Sequence, residues 1–306
     1  MKKYKLTNET TVFNGVTLYR IEALMDFSDV KTGDKGGFVQ SENNLSQLGN
    51  AWVYGNANVY GNANVYGNAN VYGNANVFGN AWVYGNANVF GNAKVYGNAN
   101  VYDNAEVYGN AEIFDYAFVY DNAKVYGNAN VFCDAKVYGY AVVYFDAKVF
   151  DNAEVYDNAN VYGNANVYDN AKVRGNSEVF GNAKVFGDAD VYGNAKVFDY
   201  AEVYDNAKVR GNANVYGNAY VFGNAYVCCD AEVGNNSDYI VFKNWWSSGR
   251  YFTWTRSNNM WKVGCFYGKG EELIKKAYAD SDMSGKEYER IVKYVESILN
   301  DDAISI

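Results

Sequence analysis

The residue types that carry most enzyme chemistry are scarce in this chain of 306 residues. It contains no histidine, so neither an imidazole general base nor a histidine-ligated metal can be built from it. Among its four cysteines, Cys228 and Cys229 are adjacent, Cys133 and Cys265 stand alone, and no Cys-x-x-Cys motif occurs. We therefore predict reduced thiols, no catalytic residue and no cofactor, and we expect that the chain is not an enzyme.

Aspartates recur at the corner positions of a repeating unit in the middle of the chain. Carboxylates about 5 Å apart repel each other by roughly 0.8 kcal/mol in water, and a divalent cation would relieve that repulsion. The favoured alternative is that aspartate replaces glycine or asparagine in a turn, which needs no ligand. The weak candidate for a metal site is the ridge Asp115, Asp134, Asp151, Asp169, Asp188 and Asp205.

Tyrosine or phenylalanine occupies another position of the same unit in 27 of its 31 copies. Sorting this position by intervals of 18 residues gives one face with six phenylalanines, one with three and one with none. Soluble monomers rarely expose so much apolar surface, so we expect a homo-oligomer packed through the first face. The alternative is that the rings only stack within one chain. The interface candidates are Phe78, Phe114, Phe132, Phe150, Phe186 and Phe222.

Four tryptophans fall close together after the repeats end. They form either an aromatic ligand site or the core of a small domain that closes the preceding structure, and the core is the favoured interpretation. The ligand candidates are Trp245, Trp246, Trp254 and Trp261.

The element that must position these residues is the hexapeptide Ala-x-Val-(Tyr/Phe)-(Gly/Asp)-Asn, repeated 31 times between Ala51 and Val233. Because a strand alternates its side chains, Ala and Val share one side, and x and the aromatic residue share the other. Ala and Val are almost never replaced by polar residues, so they point inward. The Gly/Asp-Asn pair has turn chemistry. Each repeat is a short strand plus a corner, which predicts a parallel β-helix.

Charges at the x position predict the number of sides, because like charges on neighbouring strands are unfavourable. At a spacing of 18 residues, all eight charged pairs are opposite in sign, as in Lys136 and Glu154. At a spacing of 12, seven of nine pairs are alike, and at 24, six of eight are alike. A coil of 18 residues has three sides, and the repeats then build about ten coils in a rod of roughly 50 Å.

The predicted domains are a capping segment at residues 1–44, the β-helix at 45–235 and an α+β domain at 236–306. The capping segment contains a hairpin that turns at Asn14-Gly15 and a loop at residues 33–37.

In the last domain, three strands are predicted at residues 238–242, 251–255 and 260–267. A helix follows at Glu271, and Ser284 is predicted to cap a second helix. No run of about 20 apolar residues is present, and the first residues are too polar for a signal peptide. We therefore expect a cytoplasmic protein.

A small residue and an aliphatic residue two positions apart, repeated every six residues, resemble the left-handed β-helix of hexapeptide-repeat proteins. The resemblance implies a mainly β fold with a left-handed, three-sided solenoid. Acyltransferases and carbonic anhydrases of that kind use histidines, which this chain lacks. With its capping segment and tryptophan-rich tail, the chain is also similar to phage and gut-bacterial proteins with Gly-Asn-Ala-x-Val repeats. That similarity implies a phage or prophage origin and no mechanism.

The net charge of -9 lies in the repeats, since residues 51–235 hold 10 basic and 19 acidic residues. An acidic rod disfavours nucleic acid as a partner. We predict a non-enzymatic scaffold that presents a tyrosine-rich surface to a protein or to a second copy of itself, in a bacterial host cell and without a membrane. One alternative is a virion-associated rod that binds a receptor or glycan. Another is a phage counter-defence protein that sequesters a host factor.

Overall fold

The repeats fold into a three-sided parallel β-solenoid, seen in a computed structural model that describes residues 2–304 and the side chains of residues 2–299. Strands 18 residues apart pair with each other, so Lys136 lies opposite Glu154 and Val137 opposite Val155. The predicted three-sided coil is therefore confirmed. The longest of the purely parallel sheets has eleven strands, so the solenoid has about eleven turns where the sequence predicted about ten.

Each sheet of the solenoid forms one face. The Val53 face consists of Trp52–Val53, Asn70–Val71, Asn88–Val89, Glu106–Val107, Lys124–Val125, Val142–Val143, Asn160–Val161, Glu178–Val179, Lys196–Val197, Asn214–Val215 and Glu232–Val233. The Phe-rich face consists of Asn58–Val59, Asn76–Val77, Lys94–Val95, Glu112–Ile113, Asn130–Val131, Lys148–Val149, Asn166–Val167, Lys184–Val185, Glu202–Val203 and Tyr220–Val221. The Val65 face consists of Asn64–Val65, Trp82–Val83, Asn100–Val101, Phe118–Val119, Lys136–Val137, Glu154–Val155, Lys172–Val173, Asp190–Gly193, Lys208–Gly211 and Tyr226–Cys229.

Alanine and valine fill the interior of the solenoid, as predicted. Residues such as Ala105 and Val107 are fully buried, and the one polar replacement, Ser177, is buried with its hydroxyl donating to the Arg174 carbonyl at 2.8 Å. The corners close because glycine adopts a left-handed backbone there, with φ +72° at Gly109. The interior is thus a continuous apolar column, and every polar side chain that could act on a partner lies on the outside.

The N-terminal segment extends the sheet of the Phe-rich face at the N-terminal end of the solenoid. Strands Tyr4–Phe13 and Val16–Ala23 form the predicted hairpin around Asn14-Gly15, and strand Lys35–Val39 joins them to Asn58–Val59. A 3₁₀ turn follows at Glu42–Asn44.

The predicted loop at residues 33–37 is wrong in its second half, which belongs to strand Lys35–Val39. A Cβ on Gly36 would lie 2.5 Å from Ile21 Cγ1, and one on Gly37 would lie 2.6 Å from the Ala57 carbonyl. The glycines therefore serve close strand packing and not a flexible turn.

The tail folds into an antiparallel sheet of four strands, Tyr239–Lys243, Tyr251–Thr255, Met260–Val263 and Phe266–Gly268, followed by two helices. The sequence predicted three strands, and the third is divided because Gly264 turns the chain with φ +55°. A 3₁₀ turn at Asn236–Asp238 precedes the sheet, helix α1 spans Gly270–Asp280 and helix α2 spans Asp282–Ile304.

The predicted cap at Ser284 is wrong, because α2 begins before it. The Ser281 hydroxyl accepts the Ser284 backbone N–H at 3.1 Å and takes the capping role three residues earlier.

Both ends of the solenoid are covered. At the N-terminal end, Tyr4 and Trp52 are buried, and the Lys3 ammonium donates to the Ala51 carbonyl at 2.8 Å. At the other end, side chains of the tail accept backbone N–H groups of the last coil, for example Thr253 from Tyr226 at 2.8 Å. Neither helix in the described part of the chain has the length and apolarity needed to span a membrane.

Candidate functional site

The outward rings of the Phe-rich face form one uninterrupted stack along the rod. Ten rings, from Tyr60 to Phe222, lie with neighbouring centroids 4.8–5.3 Å apart and planes within about 10° of parallel. This separation matches the spacing between paired strands, so the backbone register sets the stack. The six predicted interface phenylalanines all lie in this single column.

Stacking changes what the column offers to a partner. Each ring covers the faces of its neighbours, so Phe114, Phe132 and Phe150 are half-buried and present mainly their edges. Phe222 ends the stack and is 47% exposed. The surface is therefore a ridge of aromatic edges, which is smaller than the fully exposed apolar patch that the sequence suggested.

The chain itself covers the first ring of this column. The hairpin lays Phe13, Val16 and Leu18 against Tyr60, which is only 7% exposed. The Phe13 and Tyr60 rings meet edge to face at 5.9 Å, and the Asn14 amide donates to the Tyr60 hydroxyl at 3.2 Å. A hairpin that presents three apolar side chains and one amide at its tip thus fits the end of this ridge.

The Val65 face differs in chemistry. Its tyrosines stack from Tyr66 to Tyr156, and burial against neighbouring rings raises the pKa of Tyr102 to about 12. Arg174 then replaces a ring, lies 4.3 Å over Tyr192 and donates twice to Asp190, at 2.7 and 3.0 Å. An arginine at a ring position can therefore stack on the ring of the following coil, because its guanidinium is planar.

The aspartate ridge is built into the corners. Asp115, Asp151, Asp169 and Asp205 have a left-handed backbone with φ 56–57°, while Asp134 and Asp188 follow at the second corner position. The structure therefore spreads the six carboxylates over two corner positions.

Five corner aspartates are followed one coil later by a glycine whose backbone N–H they accept at 3.1–3.2 Å. The pairs are Asp121/Gly139, Asp157/Gly175, Asp169/Gly187, Asp199/Gly217 and Asp205/Gly223. Asp188 accepts the Asn170 amide at 3.1 Å. In the described chain, no group of three or more carboxylate, cysteine or histidine side chains is arranged to hold a metal ion. The turn chemistry of these aspartates thus has a direct structural use.

The four tail tryptophans do not form one site. Trp254 and Trp261 are 2% exposed and belong to the tail core, beside a cavity of about 270 Å³ that Lys269 also lines. Trp245 and Trp246 are 74% and 78% exposed on a turn. Buried Asn244 fixes that turn by accepting the backbone N–H of Trp246 at 3.0 Å.

Sequence reasoning missed a set of rings at the corners. Tyr116, Tyr140, Phe145 and Tyr200 are 58–65% exposed, more than the stacked rings, because none of them lies in a stacked column of rings. Their signal was present in the sequence as aromatic residues that break the Gly-Asn corner pair. They are the most accessible aromatic groups of the solenoid in the described chain after the terminal coils are set aside.

Comparison with known proteins gives a partial match. No family model matches the chain. A stretch of 62 residues is 39% identical to the Uncharacterized acetyltransferase YdcK of Escherichia coli K12, covering 18% of this chain and 19% of that protein. The chain thus spans about a fifth of the length of this curated relative.

This similarity corrects the prediction that the chain is not an enzyme. The match to an acetyltransferase points toward enzymatic activity, although it is confined to a short stretch. The prediction rested on the missing histidine. That absence excludes an imidazole base and a histidine-ligated metal, whereas carboxylates, tyrosines and thiols are present.

Proposed function

We propose that the solenoid is a binding scaffold whose aromatic ridges dock protein partners, with a second copy of the chain docking on the Phe-rich face. The observation that carries the proposal is the hairpin on Tyr60, because the chain covers one ring of the ridge with apolar side chains and leaves the following rings uncovered. An apolar partner that buried further ring edges would gain about 25 cal/mol per Å² of apolar area.

The chemistry of the ridge also varies along the rod. Some of its rings are tyrosines, which can form hydrogen bonds as Tyr60 does with Asn14, and the others are phenylalanines, which can only be buried. Phe114, Phe132 and Phe150 form the longest run without a hydroxyl. We place the centre of the docking surface there. A phage or prophage origin, and action inside a bacterial host, are further parts of the proposal, supported by the resemblance of the repeats and tail.

Sedimentation velocity at micromolar concentration tests the proposal. Phe132→Arg places a charge in the centre of the ridge, and Tyr120→Arg makes the same change on the Val65 face. Both rings stack on two neighbours at 4.8–4.9 Å, and in both cases the residue 16 positions on is a lysine, Lys148 or Lys136, so the new charge has the same local surroundings. We expect the wild type and Tyr120→Arg to self-associate and Phe132→Arg to sediment as a monomer. A monomeric wild type, or equal behaviour of the two variants, contradicts docking of a second copy.

Acetyl transfer is the second candidate function, and the similarity to the E. coli acetyltransferase favours it. Because the chain has no histidine, the group that accepts the acceptor's proton would be a carboxylate, a tyrosine or a thiol. The test is release of free thiol from acetyl-coenzyme A in the presence of amine or hydroxyl acceptors. Acceptor-dependent release by the purified chain supports this function, and release at the rate of the buffer alone contradicts it.

A further inference from the structure

Cys228 and Cys229 lie where the last coil of the Val65 face meets the tail, and neither proposed function assigns these two residues a role. Their sulfur atoms are 3.5 Å apart. Neighbouring side chains of a strand normally point to opposite faces. Here Cys228 occupies the ring position, and Cys229 occupies the corner position with a left-handed backbone, φ +64°. The corner geometry therefore turns two adjacent thiols toward the same point.

The surroundings of Cys228 favour its uncharged thiol. Cys228 is 5% exposed, and burial, together with the hydrogen bond to Cys229, raises its pKa to about 12. Cys229 is only half-buried, so a reagent reaches the pair from the corner side. A ligand that forms neutral bonds to both sulfurs avoids the cost of a buried thiolate, whereas a ligand that requires free thiolate charge does not.

The sulfur separation distinguishes between kinds of ligand. Two thiolates on one tetrahedral ion with bonds of about 2.3 Å lie about 3.8 Å apart, and on a linear ion about 4.6 Å apart. The observed 3.5 Å fits a bent arrangement. A disulfide is disfavoured, since adjacent Cα atoms are about 3.8 Å apart and disulfides usually span about 4.4–6.8 Å. In the described chain no third cysteine, histidine or carboxylate completes a metal cluster here, so four-coordinate zinc lacks protein ligands.

We propose that the Cys228–Cys229 pair is a binding site for trivalent arsenicals, which it takes up as a bent, neutral dithiolate. With an arsenoxide R–As=O, two As–S bonds form and the As=O bond breaks. The two thiol protons leave with the oxygen as one water molecule. Arsenic stays trivalent and both sulfurs stay at the oxidation level of a thiol, so no oxidant or reductant takes part.

Phenylarsine oxide is the probe, added to the full-length chain after reduction and removal of the reductant. Intact-mass measurement counts the phenylarsenic groups bound, and alkylation mapping identifies the thiols that they protect. We expect one group per wild-type chain, with Cys228 and Cys229 protected and Cys133 and Cys265 alkylated. An excess of 2-mercaptoethanol should leave the adduct in place, because one bidentate adduct outcompetes two separate thiols, whereas 2,3-dimercaptopropanol should remove it.

The decisive variants each keep one thiol of the Cys228–Cys229 pair. Cys229→Gly restores the residue found one coil earlier, Gly211, so it should fold normally, and Cys228→Ala keeps a small apolar side chain in a buried position. Uptake that resists 2-mercaptoethanol should fall from one group to none in both variants and remain at one in the Cys133→Ala/Cys265→Ala double variant. Retained uptake in Cys229→Gly, or no uptake by the wild type, overturns the proposal.

Discussion

The corner glycines lead to a prediction whose magnitude follows from two positions with the same backbone and different surroundings. Gly109 has φ +72°, and a Cβ there would lie 2.9 Å from the backbone nitrogen of Gly127 and 3.0 Å from its carbonyl oxygen. Gly223 has φ +66°, and a Cβ there would have no neighbour within 4 Å. A left-handed backbone costs an alanine about 1–2 kcal/mol. We expect Gly223→Ala to lower the free energy of unfolding by about 1 kcal/mol and Gly109→Ala by about 2–3 kcal/mol, because only the latter also displaces the next coil.

Gly109→Asp should be less harmful than Gly109→Ala, although aspartate is larger. Asp121 stands at the same kind of corner with φ +57° and accepts the N–H of Gly139, one coil later, at 3.2 Å. An aspartate at 109 would meet Gly127 in the same way, and aspartate tolerates this backbone better than alanine. One hydrogen bond recovers about 1 kcal/mol.

Urea denaturation followed by far-ultraviolet circular dichroism measures the ranking of the three variants. Amide hydrogen exchange of the coils around residue 109 reports whether the loss is local. If Gly109→Asp is at least as destabilising as Gly109→Ala, or if Gly223→Ala equals Gly109→Ala, then contact between successive corners does not limit which residues fit there.

Three further predictions concern charge, pH and the tail. The Lys184 ammonium and the Glu202 carboxylate are 2.9 Å apart and partly exposed, so a double-mutant cycle in urea should give a coupling free energy of about 0.2–1 kcal/mol. Exchanging the two residues should restore most of the stability that the single substitutions remove. A coupling of zero contradicts the pairing. The pKa of Tyr102 is raised, so its neutral form is favoured in the folded state. The contribution of Tyr102 to stability should therefore be constant below pH 10 and be lost as the pH rises from about 10 toward 12. Absorbance at 295 nm should show tyrosine ionisation at higher pH in the folded than in the urea-unfolded chain. Replacing Asn244 by alanine removes three hydrogen bonds inside the tail turn and should lower the free energy of unfolding by about 1–3 kcal/mol. Fluorescence anisotropy should show increased tryptophan mobility. Unchanged anisotropy would contradict the view that Asn244 holds the turn in place.

The solenoid was predictable because one local pattern is repeated in every coil. Each coil gives the same answer to which residues face inward, and the signs of pairs such as Lys136 and Glu154 select the register. The exposure of the rings was less predictable. Reading Phe132 as outward was right, but its half-burial arises from rings one coil above and below, which a single repeat does not reveal.

The ends were harder to predict because each is built from contacts that occur once. The strand at Lys35–Val39 reads as a loop in the sequence, since its glycines are needed only when Ile21 and Ala57 approach. The cover over Tyr60 depends on the hairpin folding back across 46 residues to place Asn14 beside it. The convergence of Cys228 and Cys229 follows from a backbone angle and not from their adjacency.

The N-terminal segment and the tail, which seal the two ends of the solenoid, contact only the coils next to them, and the coils in between are interchangeable. Removing residues 101–118, one full circuit, should leave both seals seated and shorten the molecule by about 4.8 Å. Adding a circuit should lengthen it by the same step. The length of the solenoid can therefore change only in steps of one coil. Duplication or loss of 18 residues would alter the distance between the two ends without altering the contacts that either end makes.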